Sequence, residues 1–403
     1  MRQNRAHLYT GFYLTQFLFL GVQLPFFPGW LDAKGFSEAE IGWLTGGALI
    51  MRLLLGAGIA WWAEGLRDQR LVLRLVAGLM FFSSAMLLLT DSKMALAILA
   101  MLMLFSFGCL VPLTDTAVLR ADRQGLLTYG KARGFGSFAF IFANLVGGVV
   151  ITQYGDGAGV WWIVGATFAT LLVSFIVPRI NPVHNLDRLK EIKPESTTAI
   201  RPPKLAEAGR LIKSPSFLLL LLASGMVQGA HATYYTFSEL HWSRLGYGSD
   251  LIGVLWTIGV ACEIFLLYNA KRLLRFTGPI GLILLGAVAA LIRWPLIGLS
   301  PPLYVLVLLQ ALHAFTFAAT YMGTVEFIAR AVPGNLTNTA MTLVSTLGVG
   351  AVTGIAAIFA GFIFSPAAPF AAYGLMGAMG GIGIIAALLL QRRWHGGLLR
   401  TDR

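Results

Sequence analysis

The sequence predicts an all-α membrane protein in which twelve transmembrane helices form two six-helix halves. Composition is the first reason: 57% of the 403 residues are hydrophobic and only 12% are charged, whereas soluble proteins carry about 25% charged residues. The second reason is that apolar runs of the roughly 20 residues needed to cross a bilayer recur along the chain. The third is that part of the first half is repeated in the second.

The repeat relates residues 35–52, GFSEAEIGWLTGGALIMR, to residues 246–263, GYGSDLIGVLWTIGVACE, at an offset of 211 positions. Glycines align at the start of both segments, and the opposite charges Arg52 and Glu263 align at their ends. Ionisable groups at matching depths in two similar halves are typical of membrane transporters built from parallel repeats around a central site.

Twelve apolar runs give the predicted helices in order. Their length favours helices, since membrane strands would appear as alternating segments of about 10 residues. The first run follows a basic N-terminus and continues to about Pro28 without a small-residue cleavage site. We therefore expect a first membrane helix there and not a removed signal peptide. The runs lie at about 8–28, 41–63, 71–90, 94–118, 134–153, 160–178, 216–240, 251–269, 279–299, 303–329, 337–363 and 370–391.

One long polar connection separates the two halves. Residues 179–215 place several prolines among acidic and basic side chains, a composition typical of a solvated linker. The sequence therefore predicts an N-terminal half over 1–178, a cytoplasmic linker over 179–215 and a C-terminal half over 216–403.

Basic residues are concentrated in every second connecting segment and account for the formal net charge of +12. The positive-inside rule places these segments, and with them both termini, in the cytoplasm. The basicity thus reflects topology, and we expect no nucleic-acid partner. The expected partners are the lipid bilayer, a small-molecule substrate and protons, with the protein itself a monomer in the cell's inner membrane.

Neither a metal site nor a cofactor is expected. The two cysteines, Cys109 and Cys262, lie within apolar runs, and no Cys/His spacing resembles a zinc site. The chain contains no Gly-Lys-Ser/Thr phosphate-binding loop. A membrane-embedded enzyme would need a catalytic set at one interface, and none is apparent, so we expect a protein that is not an enzyme.

Three acids and three bases fall within or beside the predicted helices. Charges inside a bilayer are costly and usually face an aqueous cavity or one another. We expect most of this set to line a central site, and buried ion pairs that fix helix register are the alternative. Glu326, close to the cytoplasmic end, is expected to be a structural or gating residue. The six are Arg52, Asp115, Arg133, Glu263, Arg293 and Glu326.

Three predicted helices also carry polar and aromatic residues at helical spacing, so that each set shares one face. Such a face on a lipid-embedded helix is expected to line a cavity, although a histidine there can also be a hydrogen-bonded packing residue. The sets are Gln228, His231, Tyr235 and Glu239, then Trp256, Gly259 and Glu263, and then His313, Phe317 and Tyr321.

Six segments from both halves carry a family resemblance: PLTDTAV (112–118), TYGKARGFGS (128–137), QGAHATYYTFSELHW (228–242), GVLWTIGVACEI (253–264), IRWPLIG (292–298) and LQALHAFTF (309–317). Together they resemble the major facilitator superfamily, its lactose-permease-like branch and, within that branch, the 3-phenylpropionate permease group. The resemblance implies the major facilitator fold and transport by alternating access.

Two residue pairs extend this resemblance. Lactose permease handles its substrate with a carboxylate on helix four and an arginine on helix five, 18 positions apart, and Asp115 and Arg133 have the same spacing. Its helix-nine arginine and helix-ten histidine are 20 positions apart, as are Arg293 and His313. The resemblance thus implies that the first pair binds substrate and that the second takes part in proton coupling.

Two departures from that pattern change the expected roles. Thr316 stands where lactose permease has its proton-coupling glutamate, and the helix-eight carboxylate is displaced by about a turn, to Glu263. We therefore expect Glu263 to be the titrating group. The family signature between helices two and three is reduced, and we expect gating there. Its remaining residues are Gly58, Glu64, Arg67, Arg70 and Arg74.

The sequence and the resemblance together predict a secondary active transporter, a proton symporter of a small, phenylpropionate-like aromatic carboxylic acid. Arg133 would hold the substrate carboxylate, and Asp115 would hold Arg133 in place. Glu263 would bind the proton, with His313 as a relay. The alternative is a proton symporter of a neutral sugar or nucleoside. The other expected substrate-binding residues are Gln228, His231, Tyr235, Trp256 and Phe317; Arg293 and Arg52 complete the proton-coupling set, and Glu64, Arg67, Arg74 and Glu326 the gating set.

Overall fold

The computed structural model describes residues 7–66, 68–179 and 205–399, and within these every regular element is a helix. The first half contains six of them. They are α1 (Leu8–Ala33), α2 (Glu38–Gly65), α3 (Arg70–Met86), α4 (Lys93–Arg123), α5 (Tyr129–Tyr154) and α6 (Asp156–Ile176). In this half α1 packs along both α5 and α6, and α3 packs against α4.

The second half is more interrupted. Its α-helices are α7 (Leu205–Ile212), α8 (Pro215–Gly229), α9 (Ala232–Arg244), α10 (Ser249–Gly298), α11 (Leu303–Ala311), α12 (Thr320–Ala331), α13 (Thr337–Leu343), α14 (Val352–Ile363) and α15 (Phe370–Arg393). Short π-helical segments, Ala314–Ala319 and Val344–Ala351, join α11 to α12 and α13 to α14. The helix predicted over 216–240 is divided between α8 and α9.

Ten helical spans in the described part of the chain are long and apolar enough to cross a membrane, which makes this a multi-pass membrane protein. In this count α8 with α9, α11 with α12, and α13 with α14 each form one continuous span. α10 counts once among them, although it has 50 residues and is broken at Gly278, where φ is 66°. α3, with 17 residues, is not among the ten. The count of twelve crossings and the cytoplasmic position of the termini stay predictions.

The predicted linker is described only in part, because residues 180–204 lie outside the described residues. Its last segment is not irregular, since Leu205–Ile212 forms the short helix α7. Leu211 of this helix is buried among residues of α8 and α13, and the Glu207 carboxylate accepts a hydrogen bond of 3.1 Å from Thr339. One apolar face thus anchors the end of the linker to the second half.

Local chemistry explains where the repeated segments begin. Gly35 and Gly246 have φ values of +81° and +85°, a conformation that costs glycine little and other residues more. In both turns the next amide reaches back to the preceding helix, from Phe36 to the Leu31 carbonyl and from Tyr247 to the Trp242 carbonyl, each at 3.1 Å. The aligned glycines therefore end the preceding helices in the same way.

The two halves meet along an inter-half seam, made by α1 with α9, α2 with α14 and α5 with α10. Small residues let the backbones touch there: a Cβ on Gly42 would lie 2.7 Å from the Ala357 carbonyl oxygen, and one on Gly253 would overlap the Asn144 carbonyl. The sequence repeat aligns Gly42 with Gly253, and each makes the close approach for its own half. The seam thus follows the internal symmetry of the chain.

Candidate functional site

A polar network fills the interior of the second half around Arg293. This residue is fully buried on α10, beyond the break at Gly278. Its guanidinium donates to the Gln310 amide oxygen at 3.0 Å and to the Thr316 hydroxyl at 3.2 Å, and Nη1 lies 3.2 Å from His313 Nδ1. Neutral groups therefore hold this arginine in place.

Glu263 lies next to that network. Its Oε2 is 3.7 Å from Nε2 of His313, while the opposite nitrogen of the same ring faces Arg293. The Glu263 side chain is 19% exposed and that of His313 is 8% exposed. The three residues form a row from a fully buried cation to a partly accessible carboxyl group. The imidazole between the two charged groups could pass a proton along this row, or reorient when Glu263 loses its proton.

The break between α8 and α9 places three of the predicted substrate residues. His231 starts the second segment, and its Nδ1 lies 2.9 Å from the Gln228 carbonyl oxygen. Its Nε2 lies 3.1 Å from the Thr316 hydroxyl, and the Gln228 side chain donates to the Phe317 carbonyl at 3.0 Å. The Tyr235 ring stacks on His231 with centroids 5.3 Å apart. Three residues of the predicted face are thus joined to the Arg293 network, whereas the fourth, Glu239, packs on Gly29 of α1.

Aromatic rings cover the same region. Trp256 stacks on Tyr234 at 4.4 Å and on Tyr235 at 5.8 Å between centroids. Phe317 stacks on His313 at 5.5 Å. The structure therefore brings Trp256, Phe317 and Tyr235 together with the polar groups, as a wall that could receive an apolar ring.

Sequence reasoning missed Tyr234, which lies under the Arg293 guanidinium at 5.0 Å. It is the immediate neighbour of Tyr235, and adjacent positions on a helix point about 100° apart. Gln310 was also missed, although it precedes His313 by three positions and so shares its face. That spacing was the signal that could have found it.

The first half contributes a second cluster around Asp115. The Tyr13 hydroxyl donates a hydrogen bond to this carboxylate, and the Tyr129 hydroxyl donates to it at 3.4 Å. The Arg133 guanidinium lies over the ring of Phe17 at 4.6 Å and over that of Tyr13 at 5.6 Å. Residues of α1, α4 and α5 thus form this cluster.

The predicted direct contact between Asp115 and Arg133 is wrong for this conformation. Among the described residues Arg133 takes part in no ion pair, and its Nη1 is buried without a hydrogen-bond partner. Tyr13 bridges the two side chains, because its hydroxyl satisfies the carboxylate while its ring faces the guanidinium. The spacing in the sequence predicted that the two residues lie at similar heights on α4 and α5, but it could not reveal the tyrosine between them.

Charges from the two halves act on each other across the interior. Arg133 on α5 and Glu263 on α10 belong to different halves, and the charge of Arg133 is close enough to act on the Glu263 carboxyl group. The described residues contain no group of three His, Cys, Asp or Glu side chains able to hold a metal ion. The candidate site combines Arg133 of the first half with the row of Glu263, His313 and Arg293 in the second.

Arg52 does not join this row, contrary to the expectation that it would lie near Glu263. Its side chain packs on Gly108 of α4, and its Nη2 would lie 3.5 Å from a Cβ on Gly350 of the second half. The repeat places Arg52 and Glu263 at corresponding depths of different halves. Two residues at equivalent positions of different halves need not contact each other, which explains why Arg52 is not found beside Glu263.

The gating candidates are divided. Arg67 and the side chain of Glu64 lie outside the described residues. Arg74 donates to the Ser174 carbonyl at 3.3 Å and to the Phe175 carbonyl at 3.4 Å. It therefore satisfies carbonyl groups that the end of α6 would leave unpaired, which is a structural contact within the first half.

The remaining charged residues of these regions form local pairs. Glu326 Oε1 lies 2.7 Å from Nη2 of Arg330, one turn later on α12 and partly exposed. Asp68 accepts a bond of 2.6 Å from Arg70 in the α2–α3 connection, and this contact lowers the pKa of the Asp68 carboxyl. Exposed pairs of this type contribute little to stability.

Comparisons with known proteins identify the family of this chain. A family model described as the MFS_1 like family matches residues 7–375. The probable 3-phenylpropionic acid transporter of Escherichia coli (strain K12) is 30% identical over 359 residues, 87% of this chain and 89% of that protein. Maltose permease of Geobacillus stearothermophilus is 23% identical over 392 residues, 96% of this chain and 95% of that protein.

Solved structures share the architecture. The crystal structure of nucleoside transporter NupG matches with a TM-score of 0.74 at 16% identity, covering 97% of this chain and 99% of that chain. A similarity at this level of identity demonstrates a common fold. Because the family model and the 30% identical relative both extend over most of the sequence, the chain belongs to the major facilitator superfamily of transporters, as a member of its MFS_1-like family.

Proposed function

We propose that this protein is a proton-coupled symporter of a small aromatic carboxylic acid that works by alternating access. The observation that carries the proposal is the state of Arg133. It is a cation among aromatic rings, with a buried donor that has no partner and with no acid paired to it in the described part of the chain. A carboxylate ligand would satisfy both its charge and its free donor.

The other two arginines fit this role less well. Arg293 is fully buried, and Gln310, His313 and Thr316 already contact its two terminal nitrogens, so that only Nε lacks a partner in the described part of the chain. Arg52 packs on Gly108, and among the described residues its guanidinium lies over no aromatic ring. Arg133 differs from Arg293 in that a terminal nitrogen, Nη1, lacks a partner within the residues that the structure describes, while Phe17 and Tyr13 lie beneath its guanidinium.

The ring of the substrate would contact the aromatic wall of the second half. Tyr235, Trp256 and Phe317 present stacked or edge-on faces there, and aromatic pairs add affinity beyond the area that they bury. The name of the relative with 30% identity, probable 3-phenylpropionic acid transporter, supports an acid with one phenyl ring. Gln228 and His231 would supply polar contacts beside it.

Glu263 would bind the co-transported proton. It is partly accessible, and it lies in the interior within the field of Arg133. A substrate carboxylate on Arg133 would offset that field, and protonation of Glu263 would become easier. His313 would link this event to Arg293. Cargo and proton together carry no net charge, which favours their passage through an apolar interior.

The topology follows from the same proposal. The two parts of α10, on either side of Gly278, would each cross the membrane, and α3 would supply the remaining crossing to give twelve. The basic connections, with both termini, would face the cytoplasm. The seam would then be the closed outer end of an inward-facing state, in the inner membrane of the cell.

Uptake into proteoliposomes tests the function. Radiolabelled 3-phenylpropionate should accumulate when the exterior is made acidic, and a protonophore should abolish the accumulation. Accumulation that does not respond to the proton gradient would contradict coupling. Uptake that appears only with a sugar or nucleoside would contradict the substrate class.

A neutral sugar or nucleoside remains the second candidate. Asp115 is surrounded by the hydroxyls of Tyr13 and Tyr129, a set that could bind a hydroxylated substrate, and maltose permease is among the relatives. Competition distinguishes the two: benzoate-like acids should displace the bound substrate of an acid transporter, and maltose or uridine should displace that of the alternative.

A further inference from the structure

The inter-half seam contains a buried carboxyl group that the proposed function does not use. Glu239, on α9, is 8% exposed, and its Oε2 is buried without a hydrogen-bond partner. The carboxyl group packs directly on Gly29 of α1, so closely that a Cβ on this glycine would overlap it. The acid therefore lies in the contact between the first half and the second.

The charged residues that act on this carboxyl group are themselves acidic. They are Asp156, at the start of α6, and Asp32, on α1 beyond Gly29. Arg244, on the same helix as Glu239, is directed to Asp32 at 4.0 Å. No basic side chain of the described residues forms an ion pair with Glu239.

The other elements packed on α9 offer no compensating cation at this end. α14 has no ionisable residue between Val352 and Ile363. His241, on α9 itself, is turned to the Ser300 hydroxyl at 2.9 Å and to the Tyr373 ring of α15. The remaining ionisable groups at the starts of α2 and α10 are the acids Glu38, Glu40 and Asp250.

We propose that Glu239 is a proton-operated latch of the inter-half seam: its carboxyl group is protonated while α1 and α9 are packed together, and it ionises when the two halves separate there. An ionised carboxylate without a partner is strongly disfavoured in a dry contact between apolar helices. Once the seam opens, water can solvate the ion and that penalty disappears.

The latch has a definite pH dependence. The sealed seam binds the proton more tightly than the open seam, so acid favours sealing and alkali favours opening. The proton is taken from, and returned to, the side onto which the seam opens. This proton on Glu239 is distinct from the one proposed for Glu263. The latch depends on the proposed alternating access in one respect only, which is that the two halves separate at this seam.

Distance measurements between spin labels test the latch without substrate or transport. Cysteines would replace the exposed residues Gln153 of the first half and Ala368 of the second, in a chain whose Cys109 and Cys262 are changed to alanine. In the parent protein the long-distance population should grow from mildly acidic to mildly alkaline pH. In Glu239→Gln the short distance should persist at every pH, because the amide cannot ionise.

Control variants make the result decisive. Glu326→Gln changes a partly exposed acid elsewhere and should keep the parent response. Gly29→Ala should show the long distance at every pH, since its Cβ would displace the carboxyl group. A Glu239→Gln protein with the parent pH response, a response that is also lost in Glu326→Gln, or a response to sodium and not to pH would overturn the proposal. Failure of 3-phenylpropionate uptake would leave this measurement unaffected.

Discussion

Arg133 and Arg293 both lie on long apolar helices, but they differ in what already surrounds them. Arg293 donates to Gln310 and Thr316 and faces His313, so its position is fixed by the protein. Arg133 rests on Phe17 and keeps a donor without a partner. The first is suited to organising the site, and the second to exchanging its partner with a substrate.

Arg133→Gln should therefore weaken binding of 3-phenylpropionate by about tenfold to about a hundredfold, because a hydrogen bond to a charged group contributes about 1.5–3 kcal/mol. Equilibrium binding to purified protein measures this. Lys131→Gln is the matched control, since Lys131 is exposed two positions earlier and should bind as the parent does. Equal losses in both variants would show that Arg133 has no special contact with the carboxylate.

Glu263→Gln should separate exchange from accumulation. Without an ionisable group at this position the protein should still exchange external for internal 3-phenylpropionate, while accumulation driven by a proton gradient should disappear. Counterflow and gradient-driven uptake in the same proteoliposomes measure the two activities. Glu326→Gln, at the Arg330 pair, should retain both. Gradient-driven accumulation in Glu263→Gln would remove Glu263 from the proton pathway.

For single residues, the sequence predicted the position along each helix well, but it predicted poorly which side chains contact one another. Periodicity brought Gln228, His231 and Tyr235 to one place, because a helical face is a local property. Tyr13, between Asp115 and Arg133, could not be anticipated, since it comes from α1 and meets them only after the first half has packed. Long-range contacts of this kind leave no periodic signal.

The helices show that apolar runs in the sequence locate membrane helices but do not reveal the breaks within those helices. Hydropathy located the ten apolar spans of the described residues, but α8 and α9 are separate segments, and the run predicted over 337–363 contains a π-helical stretch, Val344–Ala351. Such local changes of winding alter one or two hydrogen bonds and hardly affect hydropathy. One of them nevertheless positions His231 at the site.

The close contact of α5 with α10 leads to a prediction about Gly253. In Gly253→Ala the new Cβ would overlap the Asn144 carbonyl, and overpacking of this type costs about 1–3 kcal/mol. We expect a lower melting temperature in detergent and easier labelling of cysteines placed in the seam. Gly165→Ala is the control, because nothing lies within 4 Å of that site and alanine is favoured in a helix by about 1 kcal/mol. A Gly253→Ala protein as stable as Gly165→Ala would show that the seam is not tightly packed.

The whole molecule joins two halves whose similarity was visible in the sequence. The offset repeat predicted that Gly42 and Gly253 would be equivalent, and both make the close backbone approach of the seam. The same repeat suggested that Arg52 and Glu263 act together, and the structure separates them. The repeat relates each position of the first half to an equivalent position of the second, whereas the candidate site combines positions that are not equivalent.

The central claim is that Arg133 of the first half and Glu263 of the second act on one substrate in one chamber. Calorimetric titration with 3-phenylpropionate, repeated in buffers of different ionisation enthalpy at a pH where Glu263 is ionised, measures the protons bound with each ligand. We predict about one proton taken up per carboxylate bound in the parent protein, none in Glu263→Gln, and a large loss of binding in Arg133→Gln. Binding of 3-phenylpropionate to the parent protein without proton uptake would contradict the account.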